Sequence, residues 1–206
     1  KGQTRIPTGT SLTDAWAAIG QQPAILEALV PFDREVSVIA ARGLDGTVAT
    51  FDIPQNLHEN GILRSSTVPA QLKSRTAAQA RDIAATLLES LNYVGVMAVE
   101  LFVSTSGGTE SLMVNEIAPR VHNSGHWTEA ACHVSQFEQH IRAIAGWPLG
   151  DTRRSSDCVM ENLLGDEIFT CAALAGVAGA VVHDYGKAAS REGRKMGHVT
   201  RLILRK

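Results

Sequence analysis

Two strand-like runs, Val96 to Val103 and Ser111 to Ala118, flank a double glycine, Gly107-Gly108, and the second runs directly into a polar loop. Alternating residues on either side of a glycine turn make an antiparallel hairpin. A turn centred on Gly108 sets Glu100 opposite Glu116 and Phe102 opposite Val114. Cross-strand side chains lie about 5 Å apart at Cβ, where like charges repel. The two carboxylates therefore need a cation, a shared proton or full solvation. Val99, Leu101 and Ile117 flank them and argue against solvation. A hard cation with oxygen ligands, Mg²⁺ or Mn²⁺, answers the charge best. A register slipped by one residue would leave an exposed polar hairpin face instead. Strict pleating points Asn115 away from Glu116 unless a bulge falls before Pro119.

The loop that follows carries Arg120, His122, Asn123, Ser124, Gly125 and His126. A folded core has little use for so many polar groups, since each needs a partner or water. Arg120 offers a planar fork for carboxylate or phosphate oxygens, and Asn123-Ser124-Gly125 can present N–H groups to an anion. Gly125 between His122 and His126 argues against a helical zinc pair; a hydrogen-bonded structural histidine is the other reading of each. Glu27 interrupts the apolar run Ala24 to Val30, and Glu35 follows eight positions later. Either they meet a hydroxylated ligand or they line an exposed strand edge. Lys187, Arg191, Arg194 and Lys195, with Gly186 and Gly193, make either a phosphate site or a solvated basic loop.

The rest of the chain supplies a frame. Ser11 and Asp14 fit a capping box before Leu12, Ala15, Trp16 and Ile19 at helical spacing. Ala24 to Val30 and Glu35 to Ala41 read as strands, the latter with Val36, Val38 and Ala40 on one face and Glu35, Ser37 and Ile39 on the other. Gly43 to Gly46 turns the chain back into Thr47 to Ile53, an antiparallel meander. Pro54 to Pro69 reads as a polar connection. Ser74 to Leu91 is the strongest helix, and Trp127 to Ala145 is helical in two pieces. Strands are expected over Cys158 to Leu164, Ala180 to Tyr185 and Val199 to Leu204, with a short helix over Glu167 to Leu174. The order is α+β with antiparallel pairs.

Composition narrows the function. With 206 residues, a net charge of -2 and no long apolar run, nothing points to nucleic acid or a membrane span. Cys132, Cys158 and Cys171 lack CxxC spacing and read as reduced thiols of a cytoplasmic protein.

The run Asn115 to Thr128, NEIAPRVHNSGHWT, resembles the signature of the 5-(carboxyamino)imidazole ribonucleotide synthetases, the ATP-grasp carboxylases of purine biosynthesis. Glu27 to Glu35, Asn56 to Leu63, Ser135 to His140, Tyr185 to Lys187 and Gly193 to His198 resemble further segments of that family. The resemblance implies an ATP-grasp fold over residues 1–53 and 54–157 and a small β-rich domain over 158–206. It also implies that the family's N-terminal Rossmann-like domain lies outside this chain, which alone is then expected to be inactive. Gly2 and Gln3 would end the loop that closes over ATP. Glu27, Ala28, Leu29 and Val30 would hold the adenine, with Glu35 on the ribose and His58 beside the nucleotide. Glu100 and Glu116 would bind Mg²⁺ or Mn²⁺, with Asn115 and Glu116 facing ATP. Arg120, His122 and Asn123 would serve catalysis at bicarbonate, and Lys187, Arg194 and Lys195 would hold the phosphate of 5-aminoimidazole ribonucleotide. The family implies a homodimer. A biotin carboxylase or another ATP-grasp ligase, and a non-catalytic ATP-grasp fragment, are the competing readings; the loop Arg120 to Thr128 and the basic end match the 5-(carboxyamino)imidazole ribonucleotide synthetases better.

Overall fold

The computed structural model describes residues 2–203. Residues up to Pro31 form one compact unit and those from Phe32 onward another. The first unit holds one helix, α1 (Leu12–Ala18), capped by Ser11, whose Oγ accepts the Thr13 N–H at 3.2 Å. The cap is thus made one residue earlier than a capping box would make it, without Asp14. Ala24 to Val30, expected as a strand, is irregular and almost wholly exposed. A strand needs a partner for its backbone groups, and no other segment of this unit is a strand among the described residues.

The second unit is built on one nine-stranded antiparallel sheet, in the order β6-β5-β1-β3-β4-β7-β9-β8, with β2 paired to β1. The strands are β1 (Arg34–Arg42), β2 (Val48–Thr50), β3 (Gln55–Glu59), β4 (Ile62–Val68), β5 (Gly95–Ser106), β6 (Thr109–Ala118), β7 (Asp157–Leu164), β8 (Ala180–Asp184) and β9 (Lys195–Ile203). This is the expected α+β class. The expected antiparallel return is present as short β2, and β1 pairs in addition with β5 along its whole length and with β3 at Glu35 and Val36. The boundaries expected after residues 53 and 157 both fall within this sheet.

The polar connection of residues 54–69 is in fact the hairpin β3–β4. Its turn is Asn60-Gly61, both left-handed at φ 51° and 72°, the pair that a two-residue hairpin favours. The strand expected from Val199 begins at Lys195, because β9 pairs on both sides, with β7 and β8. Leu204, expected at its end, lies outside the described residues.

Helix α2 (Ser74–Ser90) covers one sheet face. Its buried Ala80, Ala84 and Leu88 pack with Val36, Val38, Met97, Val99 and Leu101. The opposite face changes character along its strands. At one end Ile39, Ala41, Ala98 and Phe51 pack under Trp127, and the Phe51 and Trp127 rings meet edge-on with centroids 6.4 Å apart. Two positions along the same faces of β1 and β5, the residues are Ser37 and Glu100, which are direct cross-strand partners. The apolar end anchors α3 (Thr128–Ala131) and α4 (Gln136–Ile144); the polar end is the candidate site. No helix is long and apolar enough to cross a membrane among the described residues.

Candidate active site

The β5–β6 hairpin turns at Gly107-Gly108 and pairs Ser106 with Thr109, so Phe102 faces Met113 rather than Val114. A regular ladder would then have put Asn115 opposite Glu100. The register shifts at Glu100/Leu101 instead, and Glu100 pairs with Glu116. Asn115 is the extra residue of this bulge, which breaks the strict alternation that would have put Asn115 and Glu116 on opposite faces. The expected carboxylate pair is present, produced by a turn half a residue from the expected centre and a bulge that compensates.

Glu100 is largely buried and Glu116 exposed. Burial, then the Glu116 carboxylate, raises the Glu100 pKa above its usual range. Both causes penalise its charged form, and a bound cation would relieve both. Glu35 and His58 lie close enough to act on the same carboxyl, and the Glu35 carboxylate meets His58 Nδ1 directly. His58 is brought there by β3, which has its own register shift at Leu57/His58.

His122 Nε2 lies 3.2 Å from Glu100 Oε1. Its backbone is clamped by the fully buried Gln136 of α4: Oε1 accepts the His122 N–H at 2.9 Å, and Nε2 donates to the His122 carbonyl at 2.7 Å. Gly125 makes room for this clamp, because a Cβ there would lie 2.6 Å from Gln136 Oε1. Burial, followed by the positive charges of Arg120 and Lys195, pushes the His122 pKa down to about 4, so the ring is neutral near pH 7. Arg120 is exposed and donates from Nη1 to the Val121 carbonyl at 2.9 Å.

Two parts of the loop are engaged within the protein itself. Asn123 has both ends of its amide paired with the Asn162 amide, at 2.9 and 2.7 Å, so its side chain fastens the loop to β7. The N–H groups of Ser124 and Gly125 are directed to His122, at Nδ1 and the carbonyl. The backbone expected to present N–H groups to an anion is satisfied internally at these two positions.

The basic segment divides. Lys195, on β9, is half-buried and acts electrostatically on Glu100 and His122. Burial depresses its pKa first, and Glu100 opposes that shift. Lys187 donates to the Lys195 carbonyl and lies 5.3 Å from the Tyr185 ring centre. Arg194 is exposed, donating to the Ala189 carbonyl at 2.9 Å, and Arg191 is exposed. Gly2, Gln3 and Glu27 to Val30 belong to the first unit, and all but half-buried Val30 are exposed; Lys1 lies outside the described residues.

Sequence reasoning missed Gln136, Asn162 and a histidine group. His183 and His198 face each other across β8 and β9 with stacked rings, centroids 4.6 Å apart. Tyr185 Oη is 2.9 Å from His198 Nδ1. Glu129 joins these histidines as a potential metal-ligand set, with ligand atoms within 4.8 Å. Stacked imidazoles direct their lone pairs side by side rather than at one point, which disfavours a shared ion.

Comparison with known proteins places this geometry. An ATP-grasp domain model matches residues 1–137, and the phosphoribosylaminoimidazole carboxylase C-terminal domain matches residues 158–203. An N5-carboxyaminoimidazole ribonucleotide synthase of Brucella melitensis is 57% identical over 204 residues, covering 98% of this chain and 56% of the relative. The crystal structure of the ADP complex of an N5-carboxyaminoimidazole ribonucleotide synthetase aligns with a TM-score of 0.91 at 40% identity, over 98% of this chain and 53% of that one. The Aspergillus clavatus synthase in complex with ADP and 5-aminoimidazole ribonucleotide aligns with a TM-score of 0.85 at 29% identity, over 93% and 52%. The chain thus spans about half the length of these relatives, and the resemblance read from Asn115 to Thr128 holds along nearly all of it. On these matches the chain belongs to the ATP-grasp family, and its last strands carry the C-terminal domain described for phosphoribosylaminoimidazole carboxylase.

Proposed function

We propose that this chain supplies the metal, bicarbonate and substrate-phosphate groups of an enzyme that carboxylates 5-aminoimidazole ribonucleotide. ATP would phosphorylate bicarbonate, and carboxyphosphate, or CO₂ released from it, would carboxylate the exocyclic amine, leaving ADP and phosphate. The observation that carries the reading is the convergence of Glu100, Glu116, His122 and Lys195 at the polar end of one sheet face. Two carboxylates, one of them destabilised by burial and by its neighbour, fit a hard divalent cation. Glu100 and Glu116 would hold Mg²⁺ or Mn²⁺, which when bound would neutralise charge on the transferring phosphoryl group.

The chain's own residues then have distinct tasks. Arg120, exposed and close enough to act on His122 and Lys195, is available to bind bicarbonate and carboxyphosphate oxygens bidentately. His122 donates to Glu100 and fixes its orientation. Asn115 stands beside the metal pair, and Glu35 with His58 faces the nucleotide. Asn123 holds the loop in place through Asn162. Lys195 brings a positive charge to the carboxylate end, and Lys187 and Arg194 extend it toward the substrate phosphate. Gly2, Gln3 and Glu27 to Val30 take ATP-binding roles on the strength of the resemblance alone. A homodimer and a cytoplasmic location belong to the same proposal, the latter supported by the free thiols of Cys132, Cys158 and Cys171. ATP hydrolysis with bicarbonate, measured on a protein extended to the relatives' full length, should rise when 5-aminoimidazole ribonucleotide is added. Hydrolysis indifferent to that nucleotide would sink the assignment.

A further inference from the structure

Four polar side chains of the larger unit are nearly or fully buried and stand in a row: Ser66 on β4, Asn56 on β3, Ser37 on β1 and Ser124 in the loop. Such groups are costly in a core unless all are paired. Here they pair with one another and with His122. Ser66 Oγ donates to Asn56 Oδ1 at 2.8 Å, and Asn56 Nδ2 donates to Ser37 Oγ at 3.0 Å. Ser37 and Ser124 hydroxyls are 2.7 Å apart, and Ser124 Oγ is 2.9 Å from His122 Nδ1.

The direction of the row follows from its two ends. At His122 Nδ1 the Ser124 backbone N–H also points in, at 3.4 Å, and a backbone N–H only donates. At Nε2 the neighbour is Glu100 Oε1, at 3.2 Å, and a carboxylate only accepts. Both ends require hydrogen on Nε2 and a lone pair on Nδ1. The hydroxyls between then have one consistent order: Ser37 receives from Asn56 and gives to Ser124, and Ser124 gives to Nδ1.

We propose that Ser124, Ser37, Asn56 and Ser66 are positioning residues that lock His122 in the Nε2–H tautomer, aimed at Glu100. The imidazole is then a fixed donor and has no lone pair at Nε2 with which to act as a base there. It holds one Glu100 oxygen and leaves the other for a ligand. The locked tautomer stands on this structure alone; its consequence for catalysis rests on the carboxylation reading.

The test is a long-range ¹H–¹⁵N correlation spectrum of the histidine rings of the 206-residue chain, without nucleotide. It is recorded near pH 8, where an imidazole of ordinary pKa, about 6.5, is neutral. Loss of cross-peaks in His122→Gln assigns the His122 signals. The expected spectrum has a protonated Nε2 and an unprotonated Nδ1. Ser124→Ala should move both nitrogens toward the averaged position of a freely exchanging ring, and Ser37→Ala should move them the same way by less. Thr76→Val, at a buried position of α2 on the other face of the sheet, should lower the melting temperature and leave the His122 signals in place. A wild-type ring protonated at Nδ1 would overturn the proposal even if a serine variant failed to fold. So would a tautomer unmoved in folded Ser124→Ala. Because the readout is a nitrogen shift in the free chain, it stands or falls separately from the carboxylation reading.

Discussion

The two hairpins β3–β4 and β5–β6 are built alike and differ in what they deliver. Each turns on two left-handed residues, Asn60-Gly61 and Gly107-Gly108. Each has one register shift, at Leu57/His58 and at Glu100/Leu101. Strand β3 lies inside the sheet between β1 and β4, whereas β6 is an edge. The interior hairpin therefore contributes buried polar residues, Asn56 and Ser66, and one site residue, His58. The edge hairpin places exposed Glu116 against largely buried Glu100. Burial on one side and solvent on the other is what an ion site needs: a fixed ligand and a route in. A bulge does the aiming in both, but only on the edge does it leave two carboxylates facing one another.

The largest test of this contrast is catalytic. On the proposed carboxylation, Glu116→Gln in a protein extended to the relatives' full length should lower Mg²⁺-supported turnover by roughly 100-fold or more, since it removes charge stabilisation of several kcal/mol. His58→Gln should cost about 10-fold and act mainly on the KM for ATP. Equal losses in turnover would mean that the two hairpins share one task.

A second contrast appears on acidification. Burial is the leading cause that holds His122 and His126 to about 4 and His198 to about 3. An unfolded chain binds protons at these histidines near pH 6.5, while the fold resists them until its own lower pKa values. Between those limits the unfolded state takes up more protons, so stability falls as pH falls from about 6.5 toward 4. Glu100, raised by burial and by Glu116, works with opposite sign above its usual value. Denaturant melts at pH 7.5 and 5 should show a net loss on the order of a few kcal/mol at the lower pH. A midpoint that did not move would contradict neutral burial of these rings.

The smallest effect concerns the turns. Gly61→Ala and Gly107→Ala each place a Cβ on a left-handed residue, at φ 72° and 55°, and each should cost about 1 kcal/mol of stability. A markedly larger cost at Gly61 would show that the interior hairpin depends more on its turn than the edge hairpin does.

The difference between the hairpins also explains what could be read from the sequence. The edge hairpin was legible because apolar alternation and a double glycine frame it, and its carboxylate pair came with it. The interior one carried the stronger turn signal, Asn60-Gly61, but its strands, Gln55 to Glu59 and Ile62 to Val68, are too polar to look like strands. Their polarity is used in the row through Asn56 and Ser66, which requires β1 beside β3. Such neighbours belong to the topology, as do Gln136 beneath Gly125 and Lys195 beside Glu100. The apolar run Ala24 to Val30 failed in the opposite sense, with strand-like residues and no strand to pair with. The pairing of Asn123 with Asn162 was not legible, because Asn162 lies 39 residues away in sequence on β7.

The central claim is that the bulged edge hairpin makes one cation site from Glu100 and Glu116. The most direct measurement is a Mn²⁺ titration of the folded chain followed by electron paramagnetic resonance, for the wild type, Glu100→Gln and Glu116→Gln. The account predicts one site in the wild type, weakened at least about tenfold by either substitution with the melting temperature retained. Binding unchanged in both variants would contradict it.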